Sequence, residues 1–197
     1  MAELTIALIV FLFPLAYSPG PGNMFFAANG ARFGMRATLP ANAGYHVATW
    51  IVTLAIGFGF AAAMERAPAL FLAIKWAGSA YVLYLAWTFL RAGAMAGQGQ
   101  AQPAGFVDGA VLLVLNPKAY VIIALMFTQF LTGAEPDRAA VLWITTIFTL
   151  NNLVAFVAWT LIGDRIAARF RDEAGARRLN MALGAVLAAV ALWMMLG

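Results

Sequence analysis

The chemistry this sequence can perform gathers where two apolar runs are broken, at Ser18-Pro19-Gly20-Pro21-Gly22 and at Asn116-Pro117-Lys118. Proline lacks a backbone N–H and pushes the residue before it out of helical geometry, while glycine lets the chain unwind. Each stretch therefore ends one helix and begins another, in the first case near Asn23. The opening N–H groups of a helix have no partner within it and carry partial positive charge, which suits a carboxylate. A simple kink is the competing reading. Two prolines and two glycines packed behind Ser18 favour a site, because irregular backbone at membrane depth persists only inside protein or beside a wet cavity.

Lys118 stands about a dozen residues from either end of its apolar run, each adding ~1.5 Å of depth. A cation that deep is a functional hypothesis by default; its alternative partners are carbonyls freed by the break. Lys75 enters its own run by about two helical turns, so its stem can also carry the charge to the headgroups. The acids lie elsewhere. Glu65, Glu135, Asp137, Asp164, Asp172 and Glu173 fall in loops or at run ends, and Asp108 near the start of a run. Deep cations without a deep acid imply that the ligand brings the anion. The same pattern argues against a metal-cation cargo, which would want oxygen ligands, and nothing calls for a cofactor.

Asn42, Tyr45, His46 and Thr49 recur at helical spacing and form one polar stripe, with Thr53 beyond it. Such a stripe faces other helices or a cavity. His46, the single histidine, can carry protons near neutral pH or serve as interhelical hydrogen-bond glue. Thr145, Thr149 and Asn152 allow the same two readings, and Gly184 with Ala188 marks a packing face. Ser18, His46 and Asp108 are residue types of a hydrolytic triad. No nucleophile motif surrounds them, so a membrane-embedded enzyme is the alternative set aside. An accessory membrane subunit, the other alternative, would gain nothing from buried lysines and broken helices.

Six hydrophobic segments must position these residues, at about 4–28, 39–64, 69–90, 106–131, 139–162 and 179–196. Of the 197 residues, 64% are hydrophobic and 10% charged, against about half and about a quarter in soluble domains. Runs near 20 residues cross a bilayer as helices. The fold class expected is an all-α integral membrane protein in a single transporter domain. Broken segments one and four each open a group of three, which suggests a 3+3 inverted repeat with halves at 1–90 and 106–197.

The net charge of +4 reads as topology rather than nucleic-acid binding. Arg32, Arg36, Arg91, Arg165, Arg169, Arg171, Arg177 and Arg178 lie in the odd-numbered loops, and only Arg66 and Arg138 in the even ones. Odd loops are then cytoplasmic, the C-terminus is periplasmic, and the N-terminus is periplasmic if segment one spans rather than dips in and returns. Glu3, where a signal peptide would carry a basic residue, argues against a cleaved leader. With no Walker-type glycine loop, ATP is not the expected energy source.

Ser18-Pro19-Gly20-Pro21-Gly22-Asn23, Asn116-Pro117-Lys118-Ala119 and the run from Lys75 through Trp76, Gly78, Tyr81 and Tyr84 to Leu85 resemble the LysE/RhtB family of amino-acid exporters. The resemblance covers essentially the whole chain. It departs at Gly22, which stands between Pro-Gly-Pro and the asparagine that commonly follows directly. It implies a bacterial inner-membrane secondary transporter that exports amino acids or close derivatives, in exchange for protons. Without a deep acid to pair a basic side chain, a neutral amino acid is expected. The substrate carboxylate would meet the breaks at Pro19 to Asn23 and Asn116 to Lys118, with His46 or Asp108 carrying protons. The small bundle is compatible with a homodimer in the lipid bilayer.

Overall fold

The computed structural model describes residues 2–60, 76–77, 79–84, 86–87, 90–91, 102–131, 138–169 and 173–196. All its regular elements are helical among the described residues: α1 (Ala2–Tyr17), α2 (Pro21–Ala55), a π-helical turn (Ile56–Phe60), α3 (Phe106–Val114), α4 (Pro117–Phe130), α5 (Arg138–Ala167) and α6 (Glu173–Leu196). The described parts of 76–91 are helical as well. Lys75 and most of segment three lie outside the described residues.

Alongside an apolar core, the bundle buries a set of polar side chains and exposes large apolar ones. Asn23, Asn42, His46, Thr49, Asn116, Thr145 and Asn152 are buried, while Ile6, Val10, Phe13, Val107 and Val154 are exposed. Lipid accepts those apolar surfaces, and the helices satisfy their backbone internally. Among the described residues, helix α5 alone is long and apolar enough to cross a bilayer, and the pairs α1–α2 and α3–α4 also qualify when each is taken as one bent span.

The two expected breaks are present and alike. The pairs bend by 64° and 63°, and each second helix opens with proline, Pro21 or Pro117. The first starts two residues earlier than Asn23, with Gly20 in extended backbone as its N-cap. Proline fits this first position because its missing N–H would have been unpaired there anyway.

The first cytoplasmic loop expected from the sequence is reduced to one residue. At Gly34 (φ 82, ψ 167) the backbone leaves helical geometry inside α2. Gly30 packs on the Thr160 carbonyl, while Asn42 donates to Thr160 Oγ1 at 3.4 Å. Residues 30 and 42 of a continuous helix would stand ~18 Å apart, so the chain folds back at Gly34. Asn29 Nδ2 donates to Thr38 Oγ1 across the reversal at 3.1 Å.

Two apolar clusters fill the bundle. One joins Leu8 and Leu12 of α1, Ile56, Ile123 and Met126 of α4, and Val141 and Ile144 of α5. The cluster brings the middle of α1 and the middle and C-terminal part of α4 to the start of α5, and Trp143, donating to Thr5 Oγ1 at 3.0 Å, sets the N-terminal end of α1 beside it. The other cluster joins Phe25, Phe26, Tyr45, Leu112, Leu113 and Phe156 with Val82 and Leu187. Backbones touch at two crossings: Gly44 and Gly109 set α2 against α3, and Gly30 and Gly163 set α2 against α5. Gly184 packs on Leu90, as expected of a small-residue face.

Candidate functional site

The break after α1 frees a row of carbonyls, and four side chains from three regions of the chain meet them. Ser18 Oγ donates to the Leu15 carbonyl at 3.1 Å, and Asn23 Nδ2 reaches back to Ala16 at 2.9 Å. Trp159 Nε1 of α5 donates to Tyr17 at 3.3 Å. Lys118 Nζ of α4 donates to the Ser18 carbonyl at 3.2 Å and to Ser18 Oγ at 2.9 Å, with Pro19 at 3.5 Å. The second break is treated alike: Tyr120 Oη donates to the Val114 carbonyl at 2.9 Å.

The donors at these breaks are treated differently. Neither Gly20 nor Asn116 caps its new helix with a side-chain bond. The backbone carbonyls of Leu15, Ala16, Tyr17, Ser18 and Val114 are answered, while two helix starts and an ammonium gather at one point. The partners of Lys118 are uncharged oxygens of Ser18 and Pro19. That is an anion-attracting arrangement built from a dipole pair and a cation. Gly20 lies under the lysine stem: a Cβ there would stand 2.9 Å from Nζ and 3.0 Å from Cδ. Gly22 likewise gives room to the Phe156 ring.

A cavity of about 20 Å³ lies at this point, lined by Asn23, Tyr45, Thr49, Asn116, Lys118 and Asn152 together with Ile122, Phe148 and Phe156. It lies between the two apolar clusters, since Tyr45 and Phe156 belong to one and Ile122 and Phe148 to the other. That volume holds about one water-sized molecule, so the space as it stands is too small for an amino acid. Tyr45, Phe26 and Phe156 pack beside it edge-on or tilted, with ring centroids 4.6–5.7 Å apart.

His46 sits in the stripe behind the cavity. Its Nδ1 is 2.7 Å from the Asn42 carbonyl, and its Nε2 is 3.4 Å from Asn152 Nδ2. A carbonyl only accepts, so Nδ1 carries a hydrogen and Nε2 presents its lone pair to the Asn152 amide. Thr149 Oγ1 is bonded within its own helix, to the Thr145 carbonyl at 2.9 Å.

The structure thus brings Ser18, Pro19, Gly20, Pro21, Asn23, Asn116, Pro117 and Lys118 to one point, with Asn152 on the cavity wall and Asn42 and His46 one layer behind. Asp108 is elsewhere: its Oδ2 accepts the Gly105 N–H at 2.8 Å at the start of α3. Ser18, His46 and Asp108 each have separate partners and form no triad. Among the described residues, no group of three His, Cys, Asp or Glu is placed to hold a metal. Sequence reasoning missed Trp159, Tyr120 and Phe156. Only Tyr45 carried a signal, its place on the polar stripe; it receives a hydrogen bond from Asn116 Nδ2 at 3.0 Å.

The family model described as LysE type translocator matches residues 13–197. The chain is 28% identical to the homoserine/homoserine lactone efflux protein of Salmonella typhimurium over 179 residues, covering 87% of this chain and 86% of that one. It is 29% identical to the cysteine/O-acetylserine efflux protein of Escherichia coli K12 over 176 residues, covering 87% of each. No solved structure matches the chain.

Proposed function

The chain belongs to the LysE type translocator family, and from that premise we propose that it exports small neutral amino acids or close derivatives across a bacterial inner membrane, driven by proton entry. The compounds in its relatives' names (homoserine, its lactone, cysteine and O-acetylserine) all carry a primary ammonium and no charged side chain, and all but the lactone carry a free carboxylate. A cavity wall of asparagines, tyrosine and threonine suits such side chains better than charged ones.

The observation that carries the reading is the Lys118 ammonium resting on uncharged oxygens of Ser18 and Pro19 beside two uncapped helix starts. A substrate carboxylate entering there replaces weak neutral acceptors with a charged one, and a charge-assisted bond is roughly twice as strong. Lys118 then leaves the first break, and the two halves, 1–90 and 106–197, are free to rock. Alternating access follows, with the cluster around Leu12, Ile123 and Ile144 closing one side and that around Phe26, Tyr45 and Phe156 the other. Lys75 is a second cation for the same pathway, and His46 is the proton carrier we favour.

Loop arginines orient the chain with Gly34 and the α5–α6 connection in the cytoplasm. Both termini are then periplasmic, since α1 begins beside the start of α5. We extend the reading to a homodimer on size alone, because so small a bundle encloses little space; cross-linking in membranes tests it.

Loss of preloaded radiolabelled amino acids from cells expressing the protein tests the function. Faster loss of at least one neutral amino acid, abolished by Lys118→Ala with the protein still in the membrane, is expected. Equal loss with and without the protein across the whole panel, lactone and acetyl derivatives included, would refute it.

A further inference from the structure

The carboxylate accounts for only one pole of an amino acid. We propose that Asn116 Oδ1 is the acceptor for the substrate's α-ammonium group, an inference that rests on the amino-acid reading of this site. Asn116 is only 5% exposed and lines the cavity beside Lys118. Its Nδ2 is committed to Tyr45 Oη at 3.0 Å. Its Oδ1 is buried without any hydrogen-bond partner.

A buried amide oxygen left unanswered is costly, and such groups are rare in native proteins unless something outside the chain completes them. An ammonium is the strongest natural complement to a neutral carbonyl oxygen, and it lies one carbon away from the carboxylate in an α-amino acid. The geometry of the chain matches that closeness. Asn116 is the N-cap of α4, and Lys118 is in the first turn of the same helix, so acceptor and cation are held by one rigid element. Tyr45 is buried among Phe26 and Phe156 and holds the amide so that its oxygen is the end left over. The site would therefore read both poles of a zwitterion from the start of one half-helix. Loading requires the cavity to widen from its water-sized volume.

The inference makes the ammonium, rather than the side chain, the feature Asn116 reads. Purified protein in proteoliposomes is assayed for L-homoserine transport and for its inhibition by 4-hydroxybutanoate, the same molecule without its ammonium. Wild-type protein is expected to prefer homoserine. Asn116→Leu, close in size but without the acceptor, should raise the homoserine KM by about tenfold or more, the scale of one lost bond to a charged group, with inhibition by 4-hydroxybutanoate unchanged. Asn116→Asp, which keeps an oxygen there, should retain the preference. Circular dichroism and thermal melting establish that each variant is folded.

An Asn116→Leu protein with wild-type preference would overturn the assignment. So would an equal loss of both compounds, which would give Asn116 a role toward the carboxylate or the fold. Lys118→Met separates the two levels of the argument: it should weaken both compounds alike, and if it weakens neither, the carboxylate reading fails whatever Asn116 does.

Discussion

The Lys118 ammonium donates to the Ser18 hydroxyl at 2.9 Å, across 100 residues of chain, and so ties the second helix break to the first. Lys118 meets the Ser18 carbonyl as well, at 3.2 Å. Ser18→Ala therefore removes one of the three contacts of the lysine, together with the bond from the Ser18 hydroxyl to the Leu15 carbonyl. The expected outcome is a loss of about 1.5–3 kcal/mol of stability, the net worth of a hydrogen bond to a charged group, with export retained. Thermal melting in detergent and an efflux assay on the same variant measure the two effects.

Gly20 is the floor beneath that lysine. A methyl group there would press on Nζ and Cδ, and the flexible stem, unlike a backbone, can move aside. Gly20→Ala should therefore fold and insert, yet displace the ammonium from Ser18 and cut the export rate by about tenfold, the scale of one misplaced charged bond. Transport kinetics alongside membrane abundance check this: low rate with normal abundance is the predicted pair.

The backbone crossing at Gly109 behaves in the opposite way. A Cβ there would run into the Ala41 carbonyl of α2, and neither side can yield without moving a helix. Gly109→Ala should cost about 1–3 kcal/mol or more through overpacking, visible as a lowered melting temperature and reduced yield. Gly105, whose Cβ would lie 3.6 Å from Asp108, provides the control: Gly105→Ala should leave the melting temperature nearly unchanged.

His46 is arranged to gain a proton only with a rearrangement. A hydrogen on Nε2 would face the Asn152 NH2 group at 3.4 Å, so the amide must turn its oxygen inward. In the proposed mechanism this turn links proton entry to the cavity that Asn152 lines. His46→Gln should abolish stimulation of export by an acidic outside while preserving exchange of labelled for unlabelled substrate at equal pH. Vesicle assays with and without an imposed pH gradient separate the two.

The breaks were legible in the sequence because proline and glycine act locally. Pro19 and Pro21 interleaved with Gly20 and Gly22, and Pro117 directly after Asn116, mark both bends, whereas the isolated Pro14 and Pro40 lie inside helices α1 and α2. The depth of Lys118 was legible for a similar reason, by counting residues from the ends of its run. Its partner was not. Nothing near Lys118 in the sequence points to Ser18, because their meeting depends on how two bent spans cross. Trp159 was hidden by its type: a tryptophan in a membrane segment reads as an interfacial anchor, and only the fold shows its N–H answering the Tyr17 carbonyl. Arg32 and Arg36 predict a loop where the chain reverses at Gly34, since their charges mark an interface without saying how tightly the chain turns.

The central claim is that Lys118 exchanges Ser18 for a substrate carboxylate during export. The most direct test is amino-acid efflux from proteoliposomes holding wild-type or Lys118→Met protein, matched for folded content by thermal melting. Wild-type vesicles should lose at least one neutral amino acid well above the rate of protein-free vesicles, and Lys118→Met vesicles should fall to that background. Lys118→Met vesicles that export at the wild-type rate would contradict the account.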